Sequence, residues 1–238
     1  MRLSSRAATL LAVAVLPLAL SACSSDSSSG TGASAQPAKA KNPNAGLLTG
    51  TQLKKALAPS SAFPAGFTLE ADGASDSGGK FLAPSSRKTA KPDCTRLEGT
   101  SWIQVTGFEG GVAFAQDDYV NQDKTEEVAQ EVDAFQGTTA NTVMKQMQSV
   151  AAECATFTDT DTHAKVKVKG ASTAGFGDEA YTMTLTSGAW ETGTTLIAAR
   201  SGNHVVTVLS TAGGDDGAAA AKKVTTRILG SLKGKSAA

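Results

Sequence analysis

The chain has 238 residues, with 22 Lys and Arg against 22 Asp and Glu, so it carries no net charge and no global field to draw in nucleic acid or an anionic lipid surface. It is 40% hydrophobic and only 5% aromatic, a composition that fits one globular domain of modest size. Discounting the polar segment near the start, about 190 residues remain to fold, too few for two large domains.

Residues 1–22 read as a secretory signal. Arg2 and Arg6 form the basic start, residues 7–20 the apolar centre, and Ser21 and Ala22 the small-residue exit before Cys23. An apolar run of about 14 residues, interrupted by Pro17, falls short of the roughly 20 that a spanning helix needs. The L-S-A-C ending resembles a bacterial lipobox, which implies that Cys23 carries lipid and that the mature chain starts there. The expected partner on this reading is the membrane, reached through the lipid anchor, with the domain on the extracellular face. Removing residues 1–22 leaves 20 basic against 22 acidic side chains, a net of −2.

Residues 24–46 contain no apolar side chain larger than Ala, so they have nothing to bury against the entropy cost of ordering, and they read as a flexible tether. Folding is expected to begin at Leu47. Thr49 with Gln52 forms a capping-box pattern, Leu48 and Leu53 suit a hydrophobic staple, and Pro59 should end the helix after Ala58. A strand is expected over residues 67–71, then a long exposed loop over 72–92. Arg87, Lys88 and Lys91 cluster in that loop, either as a solvated stretch or as an anion-binding one.

Cys94 opens a short helical segment, and Trp102, Ile103 and Val105 suggest a strand, as do residues 112–120. Residues 124–136 fit two patterns. Val128, Val132 and Phe135 would line a helix face, while Val128, Val132 and Ala134 alternate as in a strand; we favour the strand because a helix follows at once after Gly137. That helix is marked by Val143, Met147, Val150, Ala151 and Cys154, a stripe of period 3.6 that puts Cys154 on the buried side.

With Cys23 assigned to lipid, Cys94 and Cys154 remain as an even pair outside the reducing cytoplasm, where a disulfide is the favoured reading over free thiols or a metal site. Zinc needs about four ligands, and the chain adds only His163 and His204. Those histidines have no spacing partner and read as exposed and incidental.

In the last third, Ala164, Val166 and Val168 alternate with Lys165, Lys167 and Lys169, and Tyr181, Met183 and Leu185 with threonines. The pattern predicts antiparallel strands covered on one face only. The three lysines would either meet a polyanion or keep the other face wet. Residues 196–200 and 205–209 flank a Gly202–Asn203 turn and predict a hairpin. Ala221, Val224, Ile228 and Leu232 mark a closing helix, with Asp215 and Asp216 near its start.

Asp159 and Asp161 lack the Gly and terminal Glu of a calcium loop. No nucleophile-elbow, zincin or phosphate-loop motif is present, so neither catalytic residue nor cofactor is assigned.

The order of these features, from L-L-T-x-x-Q-L through V-A-Q-E-V-D-A-F to G-F-G-D-E-A-Y and A-A-R-S-G-N-H-V-V-T-V, resembles actinobacterial lipoproteins related to the extracellular sensor domain of the mycobacterial receptor kinase PknH. The resemblance implies an α+β fold, a single domain with a curved antiparallel sheet packed against helices, a cleft for an unidentified ligand, and no catalysis. Two departures stand out. A second disulfide is missing, and Val150, Ala151, Ala152 and Glu153 stand where a tryptophan is common. The combined expectation is a signal over 1–22, lipidated Cys23 and tether over 23–46, an α+β domain over 47–233 with its helices on one face of the sheet, and a tail over 234–238. A non-catalytic ligand-binding or sensing module is the favoured function, with an envelope assembly protein or a hydrolase as alternatives. The ligand, a small molecule or an envelope polymer, is not specified.

Overall fold

The order of burial along the central strands decides the architecture. A computed structural model describes residues 42–88 and 91–234, which belong to one compact unit. Cys23, the signal and most of the tether lie outside the described residues. Helix α1 (Gly50–Lys54) starts on the capping box, with the Thr49 N–H donating to Gln52 Oε1 at 2.9 Å, and it stops well short of Ala58. Strands β1 (Thr68–Leu69) and β2 (Ser75–Asp76) are two-residue pieces in the segment read as strand and loop.

Strands β3 (Ala113–Val120) and β4 (Glu127–Ala134) form a hairpin, so residues 124–136 are resolved in favour of strand. Helix α2 (Thr139–Glu153) follows and ends against Cys154. Then come β5 (Thr156–Thr158), β6 (Lys165–Ser172), β7 (Glu179–Ser187), the hairpin β8 (Thr194–Ser201) and β9 (His204–Ser210), and α3 (Ala218–Lys233). All pairings are antiparallel, in the order β1-β3-β4-β9-β8-β7-β6-β5, with β2 also on the outer edge of β3.

Two expectations about this sheet are corrected. Among the described residues it is open, with edge strands at both ends and no pairing that would curl it closed. Its helices pack on both faces. Val128, Val132, Ile197, Ala199, Val206 and Val208 face α1 and α3, whereas Ala129, Leu196, Ala198, Val205 and Leu209 face α2 and the 3₁₀ segments. The one-sided alternation of β6 and β7 is real, but it belongs to the flank of the sheet. At the centre β9 is buried at every residue and β8 at its first six, as strands sandwiched between two layers must be.

The stretch read as a strand around Trp102 is instead a 3₁₀ helix (Trp102–Thr106), which follows the 3₁₀ helix Cys94–Glu98. Trp102, Ile103 and Val105 are buried there because the segment folds down onto the α2 side of the sheet.

Candidate functional site

The two 3₁₀ segments and the chain before them line a groove of about 510 Å³. Its cations are Lys88, Lys91 and Arg96, its acids Asp93 and Glu109, and its apolar part is half-buried Pro92 with the buried Val105 and Phe108 behind it. The fixed geometry comes from short local bonds. Asp93 caps the first 3₁₀ helix by accepting from the Thr95 N–H at 3.3 Å and the Thr95 hydroxyl at 2.7 Å. The Arg96 guanidinium donates to Gln104 Oε1, joining one 3₁₀ helix to the other, and Gln104 Nε2 donates to the Glu109 carbonyl at 3.3 Å.

The loop is pinned where the Lys88 N–H donates to the Gly107 carbonyl at 3.0 Å. Gly107 has φ +87°, and a Cβ there would lie 2.5 Å from the Lys88 carbonyl oxygen, so backbone approach and handedness both require glycine. Beneath the groove, Cys94 and Cys154 are disulfide-bonded, with S–S 1.99 Å and Cα atoms 5.5 Å apart. The bond ties the first 3₁₀ helix to the end of α2.

Formal charge in the groove is three positive against two negative. Lys88 pairs with Glu109, holding that exposed carboxyl below its ordinary range, and Arg96 lies 3.7 Å from Asp93. Lys91 has no hydrogen bond or ion pair among the described residues. Arg87, grouped with these lysines in the sequence, turns away: its Nη2 donates to Gln146 Oε1 on α2 at 2.6 Å and its Nε to the Thr106 carbonyl at 3.5 Å. The groove can therefore orient an anion and cover an apolar part of the same molecule.

Behind Trp102–Thr106 lies a second, buried feature that sequence reading missed. Glu131 and Asp133 project from β4 on the α2 side, next to Ala129 and Phe135, and are 7% and 0% exposed. Asp133 Oδ1 accepts the Gly111 N–H at 2.6 Å. Burial, and then the neighbouring Asp133 charge, push the Glu131 carboxyl well up, and burial pushes Asp133 up to about 7. Asp118, across the hairpin, and Glu127 are also raised to about 7, each chiefly by burial. The pattern that marked Val128 and Val132 as core left Glu131 on a supposed solvent face. Only the continuous apolar run of β9 hints that this second face is covered.

Elsewhere, Glu98 is pushed up to about 7 by burial and by Asp159, whose Oδ2 accepts the Trp190 Nε1–H at 2.7 Å. Among the described residues, no three His, Cys, Asp or Glu side chains are placed to hold a metal ion. His163 is exposed, in a turn at φ +55°. His204 departs from the expectation of exposure: it is 5% exposed, its Nδ1 lies 3.3 Å from the Ser201 carbonyl oxygen, and burial lowers its pKa. Lys165, Lys167 and Lys169 are exposed on β6.

No family model matches the chain, and no curated protein matches it. Three solved chains do. One is the crystal structure of the extracellular domain of PknH from Mycobacterium tuberculosis, 16% identical with a TM-score of 0.51, covering 76% of this chain and 96% of that one. At that identity the likeness establishes a shared fold. Among the described residues, no helix is long and apolar enough to cross a membrane.

Proposed function

We propose that this chain is a non-catalytic ligand-binding or sensing module of the cell envelope, outside the cytoplasm, which takes a small anionic ligand in the groove between residues 88 and 109. The observation that carries the reading is the groove itself: three cations, one of them unpaired among the described residues, beside Pro92, Val105 and Phe108. Concave, partly apolar sites with a few converging polar groups are where small molecules bind. The fold shared with the extracellular domain of PknH supports the compartment. The signal over 1–22, lipid on Cys23 and a tether to residue 46 supply its attachment in this proposal, with residues 47–233 as the binding domain and 234–238 as a tail.

An assembly surface has less support, because the exposed large apolar side chains of the described residues are the scattered pair Leu69 and Leu82. The test is native mass spectrometry of the chain purified from its own envelope, alongside a Lys91→Glu/Arg96→Glu variant. The wild type should retain an acidic small molecule that the variant loses. Equal retention by both, or a neutral or cationic ligand, would refute the groove as its site.

A further inference from the structure

We propose that Glu131 and Asp133 share one proton in the sheet interior, and that loss of this proton to solvent loosens the Trp102–Thr106 segment that walls the groove. This goes beyond ligand binding and can be tested without a ligand.

The geometry starts with the strand. Residues two apart on β4 project to the same side, so the two carboxyls stand together on one buried face, where each bears on the other's proton affinity. Both are buried, and two ionised carboxylates side by side in such a place repel with little solvent to screen them. A single proton turns the repulsion into a charge-assisted O–H···O⁻ bond, which is stronger than a neutral one.

Among the described residues, nothing packed around the pair offers a cation instead. In the adjoining strands, Glu131 lies opposite Gln116 and Thr207, and Asp133 opposite Phe114 and Val205. Strand β3 adds Asp118, another acid, which raises Glu131 further. The buried side chains of α2 are apolar, the 107–111 turn gives the Gly111 N–H, and the 3₁₀ side gives Ser101 and Trp102. Glu131 Oε2 and Asp133 Oδ2 receive no donor from any of these, so the shared proton is what satisfies them.

The link to the groove is the 3₁₀ segment. Ser101 precedes it at φ +52°, a conformation that costs a non-glycine residue energy, and its hydroxyl donates to Gln116 Oε1 at 3.0 Å, opposite Glu131 across the β3–β4 pairing. Trp102, 1% exposed, lines with Ser101, Asp118 and Glu131 a cavity of about 10 Å³. Two residues on, Gln104 and Val105 line the groove. A second negative charge under Ser101 and Trp102 favours hydrating the cavity, which this segment must open to allow. Burial supports a proton held near neutrality, raising both carboxyls.

The test uses the full chain. Side-chain carboxyl ¹³C shifts of Glu131 and Asp133 are followed from pH 4 to 9, with amide exchange at residues 102–106 corrected for intrinsic base catalysis. One of the two carboxyls should titrate near or above neutrality, and protection at 102–106 should fall at least tenfold in step with it. Glu131→Gln, neutral at every pH and still a donor, should hold that protection constant. Titration of both carboxyls near pH 4, the ordinary range, would overturn the shared proton. A neutral titration without the exchange change, or the same exchange profile in Glu131→Gln, would overturn the coupling. If the variant does not fold, the two wild-type profiles decide the question.

Discussion

Cys94 and Cys154 are 60 residues apart in the chain and 5.5 Å apart between Cα atoms, so one covalent bond sets the distance from the groove's first 3₁₀ helix to the end of α2. In the chain-entropy account, closing a loop of that length contributes about 4 kcal/mol. Replacing both cysteines with serine should lower the unfolding free energy by a comparable amount. Amide exchange should show the 3₁₀ segments loosening before the β8–β9 hairpin. A loss of unfolding free energy under about 1 kcal/mol would mean that packing alone holds the wall.

On the opposite face, Gln130 satisfies both backbone groups of Ala58. Its Oε1 accepts the Ala58 N–H at 2.8 Å and its Nε2 donates to the Ala58 carbonyl at 3.0 Å. Gln130→Leu would leave two buried backbone groups unpaired, at about 1–3 kcal/mol each. Equilibrium urea unfolding should show a loss of about 2–4 kcal/mol, and a neutral substitution would contradict the pairing.

Acid should stabilise the domain down to the ordinary carboxylate range. Asp118 and Glu127 are raised to about 7 by burial, while unfolded carboxyls titrate near pH 4. Between those values the folded state binds more protons than the unfolded one. Stability is then fully present below about pH 4, falls as pH rises through the window, and levels off above the folded values. Urea midpoints should thus be higher at pH 5 than at pH 8. Glu127→Gln should flatten part of the slope and gain about 1 kcal/mol at pH 8. A slope of the opposite sign would contradict burial of these groups in charged-averse surroundings.

Gly111 lets the chain pass close enough to β4 to donate to Asp133. A Cβ there would lie 2.3 Å from the Ala134 carbonyl oxygen. Gly111→Ala should cost about 3 kcal/mol or more through the backbone shift it forces. Gly79→Ala, which meets nothing within 4 Å, serves as the control. Equal melting temperatures for the two variants would disprove the close approach.

The β8–β9 hairpin and both long helices were readable because periodicity and turn chemistry are local. Gly202 and Asn203 mark the β8–β9 turn, and the stripe from Val143 to Cys154 marks α2. Cys94 and Cys154 were paired by count and compartment, without knowledge of distance. What escaped was set by the third dimension. Whether the second face of β4 is covered depends on where the 3₁₀ segments land, and so the burial of Glu131 and Asp133 is invisible to strand alternation. Trp102, Ile103 and Val105 are spaced as suits a strand, and only the left-handed Ser101 and Gly107 at the two ends show why the stretch coils instead. In the groove, Lys88 and Lys91 come from the cluster seen in sequence, but Arg96 joins them only through the fold.

The most direct test of the groove as a ligand site is chemical-shift mapping. Isotopically labelled full chain is titrated with the acidic small-molecule fraction of its own envelope. The account predicts saturable shifts concentrated at residues 88, 91–96 and 104–109 and abolished by Lys91→Glu/Arg96→Glu. Saturable shifts that map elsewhere, or no shifts with the acidic fraction where a neutral fraction gives them, would contradict it.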